Sequence, residues 1–246
     1  MPYRRVFFEK NQPVHIVSRA VEGLRIYDEK MDCFKFIFQF QAANIGRRNV
    51  NISSKDVIKA GQALLWGEKI PSRFIIKEHP PLVDLLDFSL IVNHYHFYLL
   101  PNVENIIPFF IKKLNQGFAL SFNSIHNRKG AVFGSRYKNV TTKTDFQSAA
   151  VIRYISIINP LDVFQPGWRE EGINNWEKAL SFLENFEFSS FPDRIGKRRS
   201  TILAPKKILE RYPFGRDSKD KEKFREFAKN FLKERLNLSN NSYFLE

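Results

Sequence analysis

Residues 13–158 switch repeatedly between a two-residue and a helical apolar period, and that order limits the folds open to the chain. PVHIVSRA at 13–20 alternates apolar and polar residues, as a half-buried strand does. Phe34, Phe36, Ile37, Phe38 and Phe40 then build a predicted helix over 29–43. Two strand-like runs follow at 85–92 and 94–100. The single Asn93 between them leaves no room for a turn, so one continuous strand, or a turn near Asp87, is equally allowed. Ile107, Phe110, Ile111, Leu114 and Phe118 carry a helical period over 105–123, and 132–142 reads as another strand. Thr144 or Asp145 can cap a helix that runs to about residue 158 and stops at Asn159-Pro160. This interleaving suits an α+β fold with an antiparallel central sheet of the ferredoxin-like, split βαβ kind.

Two stretches stand outside that pattern. Residues 45–80 read as an insertion, with a polar start (GRRNVNISSKD), a short helix and a break at His79-Pro80-Pro81. After Pro166 the chain turns aromatic and acidic, with a helix predicted over 175–185. It then becomes basic: residues 194–235 hold 15 Lys and Arg against 6 Asp and Glu. Phe224, Phe227 and Phe231 give this end one helical apolar stripe. The expected division is a sheet-bearing region, 1–165, and a helical, basic C-terminal extension, 166–246.

Charge narrows the partners. Thirty-nine Lys and Arg against 26 Asp and Glu give +13, which favours polyanions and above all nucleic acid. Cys33 is the one cysteine, so neither an internal disulfide nor a Cys-based zinc site can form; a reducing, cytoplasmic setting is expected. No apolar run approaches the roughly 18 residues of a membrane span, so no membrane partner is expected. The N-terminal stretch lacks the apolar segment of a secretory signal.

His94-Tyr95-His96 is the sharpest local feature. On a strand both imidazoles project from one face and Tyr95 from the other. Two neutral imidazoles can hold a divalent ion and leave positions open for substrate oxygens. Taken alone, His-x-His is common and reads more simply as two unrelated histidines on a half-buried strand. Tyr154 has helical neighbours Ala150, Val151, Ile157 and Ile158, all apolar, so by itself it reads as a core residue. Asp84 and Asp87 could supply a carboxylate near the histidine strand, but read more simply as a solvated edge or turn. His15 and His126 read as structural or surface residues, and Tyr137 as a strand residue between Arg136 and Lys138. No phosphate-binding glycine loop, nucleophile elbow or HExxH zinc motif is present.

Four ordered blocks resemble the single-tyrosine HUH transposases of the insertion-sequence type, above all the REP-associated tyrosine transposases. They are PVHIVSRAVEGLRIYDEKMDCFKFIFQF, LIVNHYHFYLL, SFNSIHNRKGAVFGSRYK and VIRYISIINPLD, with FEFSSFPDRIG a further similar stretch. The resemblance implies metal ligation by His94 and His96, the nucleophile role for Tyr154 and Mg²⁺ or Mn²⁺ as the ion. It also implies contacts to DNA from Arg128, Lys129, Arg136 and Lys138, and from Lys197, Arg198 and Arg199 in the basic tail. Family members often place an Asn four residues after the tyrosine, whereas Asn159 stands five after Tyr154. Asn159 is the candidate third ligand if the turn before Pro160 brings it into reach. The insertion at 45–80 is also not typical of the smallest members.

The implied activity is metal-dependent nicking and joining of single-stranded or hairpin DNA through a 5′-phosphotyrosine. The extension is expected to recognise DNA and take no part in chemistry, and a homodimer is allowed. One rival is a domesticated, non-cleaving DNA-binding protein on the same fold. A weaker one is an RNA-binding protein, for which the aromatic pattern on the central strands is missing.

Overall fold

A computed structural model describes residues 7–51, 54–134, 136–215 and 218–236. Residues 1–6 and 237–246, the outer ends of the two expected regions, lie outside the described residues. Strand β1 (Val14–Arg19) leads through a turn into helix α1 (Lys30–Ile45). The insertion holds β2 (Gly46–Arg48), α2 (Lys55–Trp66) and β3 (Ile75–Lys77). Then come β4 (Val83–Ile91), β5 (His94–Pro101), α3 (Ile106–Ile125) and β6 (Lys138–Thr141). Helix α4 (Asp145–Arg153), a π-helical turn (Tyr154–Ile158) and α5 (Asn159–Phe164) run on without a break in helical backbone. The extension contributes α6 (Trp168–Glu171), α7 (Trp176–Asn185), α8 (Phe191–Arg194), α9 (Lys206–Leu209) and α10 (Ser218–Glu234).

The main sheet has the order β4-β5-β1-β6 and is antiparallel throughout. With α1 between β1 and β4, and α3 between β5 and β6, this is the α+β, split βαβ arrangement expected from the sequence. One face packs on α1 and α3: the Phe36 ring lies 5.1 Å from Tyr95 and 5.9 Å from Phe97. On that side the Tyr95 hydroxyl donates to Asn115 of α3. The opposite face carries His15, His94 and His96 and is overlaid by the helix from α4 to α5.

Helix α1 is buried on nearly every side because it lies between the sheet and the insertion. Phe36 and Phe40 face the sheet, while Phe38 and Ala42 form a second small core with Val57, Ala60, Phe74 and Ile75. The α1–α2 crossing is close enough that a Cβ on Gly61 would lie 2.1 Å from the Phe34 carbonyl oxygen. No larger residue fits there without parting the helices.

Several expectations are corrected. The break between β4 and β5 is a two-residue turn at Val92-Asn93, neither a continuous strand nor a turn near Asp87. Only 138–141 of the predicted 132–142 strand pairs with β1. Phe133 instead forms an isolated antiparallel bridge with Ala20, just past the end of β1, and its ring packs on Phe36, Tyr95 and Phe118. Asn159-Pro160 does not stop the helix: Pro160 follows the π turn directly, with helical backbone on both sides. Asp87 marks a bulge in β4 but is fully buried, not a solvated edge.

The extension is built into the core it follows. Leu90 N–H donates to the Phe188 carbonyl and Ser190 N–H to that of Phe88, which covers the outer edge of β4. Phe191, Phe224, Ala228 and Leu232 are completely buried, and each large apolar side chain so placed contributes roughly 1.5–3 kcal/mol. Beneath them Asp87 accepts from Ser156 and Ser190 (2.6 and 2.8 Å) and pairs with Arg194 at 3.0 Å. Among the described residues no helix is long and apolar enough to cross a membrane.

Candidate active site

Strand register assembles the site. His94 and His96 share a face, their ring centroids 4.9 Å apart, while Tyr95 points into the opposite core. Across the ladder His94 faces Arg19 and His96 faces Val17, and Val17 in turn faces Lys138 of β6. Tyr154 lies over this platform, its ring 5.6 Å from His96 and 5.9 Å from His15. It is 38% exposed, so the core placement suggested by its apolar neighbours does not hold. Ile157 is buried and Val151 and Ile158 are half-buried against the core, whereas Ala150 is exposed and the phenol reaches the cleft.

The π turn brings in Asn159. Its backbone N–H donates to the Tyr154 carbonyl, so residue 159 follows Tyr154 by one complete wider turn and stays on the same side. Asn159 is 1% exposed, and its Nδ2 has no hydrogen-bond partner. His96 Nε2 and the hydroxyl of Ser89, which faces His96 from β4, are buried and equally without partners. Orphaned polar atoms of this kind are rare inside proteins and call for something that satisfies them. Among the described residues no three His, Cys, Asp or Glu side chains converge as a ready metal cage. The donor set here is two imidazoles and an amide, whose oxygen and nitrogen exchange by a half-turn of the side chain. These residues fit a divalent ion with open positions.

Electrostatics keep the imidazoles neutral. Burial lowers His94 to about 4, with Arg19 adding to the effect, and lowers His96 to about 2, with His15 and His94 adding. His94 Nδ1 bonds the Asn93 side chain at 2.7 Å, which leaves Nε2 toward the cleft. His96 Nδ1 bonds His15 Nε2 at 3.0 Å, which directs its own unpartnered Nε2 away from that contact. His15 is thus part of the site, although the sequence reading placed it outside. Burial lowers its pKa to about 4 as well. The signal was present: alternation in PVHIVSRA puts His15, Val17 and Arg19 on one face.

A cleft of about 940 Å³ opens over this face, lined by the three histidines, Tyr154, Asn159, Arg19, Arg136, Lys138, Asp162 and Arg169 among others. Asp162, which sequence reasoning also missed, accepts from the Trp168 indole N–H and from Arg169. The other expected DNA contacts lie elsewhere. Arg128, beyond the end of α3, donates to Asn123, and Lys129 beside it is exposed. Lys197 donates to Asn185 on the surface, and Arg199 lines a separate cleft beside Thr201 and Lys206. Arg198 must be withdrawn from the set. It is buried, paired with Asp193 at 2.7 Å, and donates to the carbonyls of Glu187 and Ser189.

No protein-family model matches this chain, and no curated protein matches it. Among solved structures the chain is similar to a REP-associated tyrosine transposase bound to a REP hairpin. Identity is 12%, the likeness covers 83% of this chain and 92% of that one, and the TM-score is 0.44.

Proposed function

We propose that this chain is a metal-dependent, single-strand DNA nicking and joining enzyme in which Tyr154 is the nucleophile and His94, His96 and Asn159 hold the metal. One observation carries the reading: an exposed tyrosine stands over two neutral histidines and a buried amide with unsatisfied atoms, inside a cleft rimmed by Arg19, Arg136 and Lys138. The Mg²⁺ or Mn²⁺ of this reading, when bound, supplies Lewis-acid polarisation of a phosphoryl oxygen. The chain's own residues do the rest. Rim cations hold the backbone phosphates of an extended strand. Tyr154 Oη forms a bond to phosphorus as the bond from phosphorus to the 3′ oxygen breaks, and the phenol proton ends on the released 3′-hydroxyl. The product is a 5′-phosphotyrosine, which retains the phosphodiester's reactivity. Attack by a DNA 3′-hydroxyl reverses the step and joins strands.

The test is a nicking assay on hairpin-bearing single strands with Mg²⁺ or Mn²⁺. Tyr154→Phe should abolish the covalent adduct, and His94→Ala or His96→Ala should abolish cleavage while leaving most DNA binding intact. Sequencing of DNA trapped on the protein would identify the target. Adduct that persists in Tyr154→Phe and maps to Tyr137, or normal metal-dependent nicking by both histidine variants, would overturn the assignment.

A further inference from the structure

The helix that presents Tyr154 is gripped by the C-terminal extension, and the grip runs through the residues flanking the tyrosine. The Arg153 guanidinium lies 4.5 Å from the centre of the Phe227 ring and 5.6 Å from that of Phe214. Its Nε is buried without a hydrogen-bond partner, and no carboxylate among the described residues pairs with it. Arg153 is half-buried, and the part of its cation turned from water is compensated by the two aromatic faces. Phe214 takes a left-handed φ of 57°, a strained conformation for so bulky a residue. Its carbonyl accepts from Arg194 at 2.6 Å, and Arg194 pairs with Asp87. Asp87 accepts from Ser156, two residues beyond Tyr154. The tyrosine is therefore bracketed by Arg153 and Ser156, and both brackets end on Phe214.

The bracket coincides with the π turn. A π turn is a less favourable backbone than continued α-helix and persists where its surroundings hold it. A one-residue slip to α-helix would rotate α5 by about 100° relative to Tyr154. We infer that Arg153 and Phe227 are positioning residues through which the extension sets the presentation of Tyr154 toward His94 and His96, an inference that rests on the nucleophile reading. The extension then contributes to the reaction itself, beyond any part in holding DNA.

Arg153→Met keeps the bulk and removes the charge; Phe227→Leu removes the aromatic face and keeps the arginine; Arg153→Lys restores a cation. Single-turnover adduct formation at saturating DNA should fall about tenfold or more in the first two variants, as expected when a reacting group is misplaced. Arg153→Lys should recover much of the loss. Hairpin DNA affinity, measured in EDTA, should stay within about twofold, because neither residue is assigned a contact to DNA. A second readout needs no cleavage: in protein labelled with 3-fluorotyrosine, the ¹⁹F line that Tyr154→Phe deletes should shift or broaden in Arg153→Met and Phe227→Leu. Unchanged rate and unchanged line in either folded variant overturn the inference, as does DNA affinity that falls in step with the rate. If wild-type protein forms no adduct while the line still responds, the positioning stands and the nicking reading fails. If adduct forms and neither rate nor line responds, the nicking reading stands and the positioning fails.

Discussion

Asn159 donates its backbone N–H to the carbonyl of Tyr154, five residues back. In an α-helix the residue on the same side one turn later is the fourth; in a π turn it is the fifth. The extra residue between the tyrosine and the asparagine is therefore absorbed by the backbone, and the two side chains still border one cleft.

This relationship predicts the outcome of a deletion. Removing Ile158, which is half-buried, should convert the π turn to ordinary α-helix and keep the asparagine beneath the tyrosine. The shortened protein should fold and form adduct at a rate within about an order of magnitude of wild type, whereas Asn159→Ala should weaken metal binding by roughly 10–100-fold. A deletion variant that folds but loses Mn²⁺ binding would show that the spacing is not compensated in this way.

His15 is the second test. Its Nε2 is the partner of His96 Nδ1, and outer hydrogen bonds of this kind fix the ring and tautomer of a ligating histidine. His15→Leu should lower Mn²⁺ affinity by roughly 10–100-fold with little change in DNA affinity measured in EDTA. His15→Gln, which keeps a hydrogen-bonding group, should lose less. Mn²⁺ titration followed by electron paramagnetic resonance reads this directly, and equal affinity in wild type and His15→Leu would make His15 mere packing.

Asp87 gives a stability prediction. Burial pushes its carboxyl above the usual range, while Arg194 and the hydroxyls of Ser156 and Ser190 pull it back. Asp87→Ala leaves the Arg194 charge buried and unpaired, and should cost about 3–5 kcal/mol. Combining it with Arg194→Met should recover part of that loss, since no unpaired charge then remains. Denaturant unfolding of the two single variants and the double variant measures the coupling; simple additivity would mean that the pair does not act as a unit.

What the sequence revealed and what it hid have physical causes. Strand β1 and helix α3 were legible because their apolar periods match the faces they bury, α1 because its dense run of Phe and Ile suits a helix buried on nearly every side, and His94 and His96 because strand alternation leaves no choice of face. The β4–β5 turn was missed because neither Val92 nor Asn93 has the glycine or the positive φ that marks the common two-residue hairpins. His15 was missed because a lone histidine acquires meaning only through register, here His15 opposite Tyr98 beside the His96–Val17 pair. Arg198 was misread because Asp193 lies five residues earlier, across a turn that composition does not show. The π turn has no signature beyond the five-residue spacing itself.

The last prediction concerns the basic extension and how its DNA binding can be measured. Truncation after Ile195 looks attractive from sequence, because 194–235 carries so many cations. In the fold that cut removes Phe224, Ala228 and Leu232, all completely buried, together with Ile202, Leu203 and Leu209. It also takes away Phe214 and Phe227 from Arg153. At roughly 1.5–3 kcal/mol for each large apolar side chain, the loss is comparable with the whole typical stability of a domain, about 5–15 kcal/mol. The truncated chain should therefore fail to fold cooperatively, and weaker DNA binding by it would say nothing about recognition. Charge removal on the intact fold separates the two effects. Arg199, Lys207 and Arg211 are exposed, so replacing all three with alanine should leave thermal unfolding nearly unchanged. Each phosphate that is no longer neutralised should reduce the slope of log affinity against log salt by about 0.7 for a single strand and about 0.9 for a duplex stem. A triple variant that folds normally and binds a hairpin with unchanged slope would exclude these three cations from the DNA-binding surface.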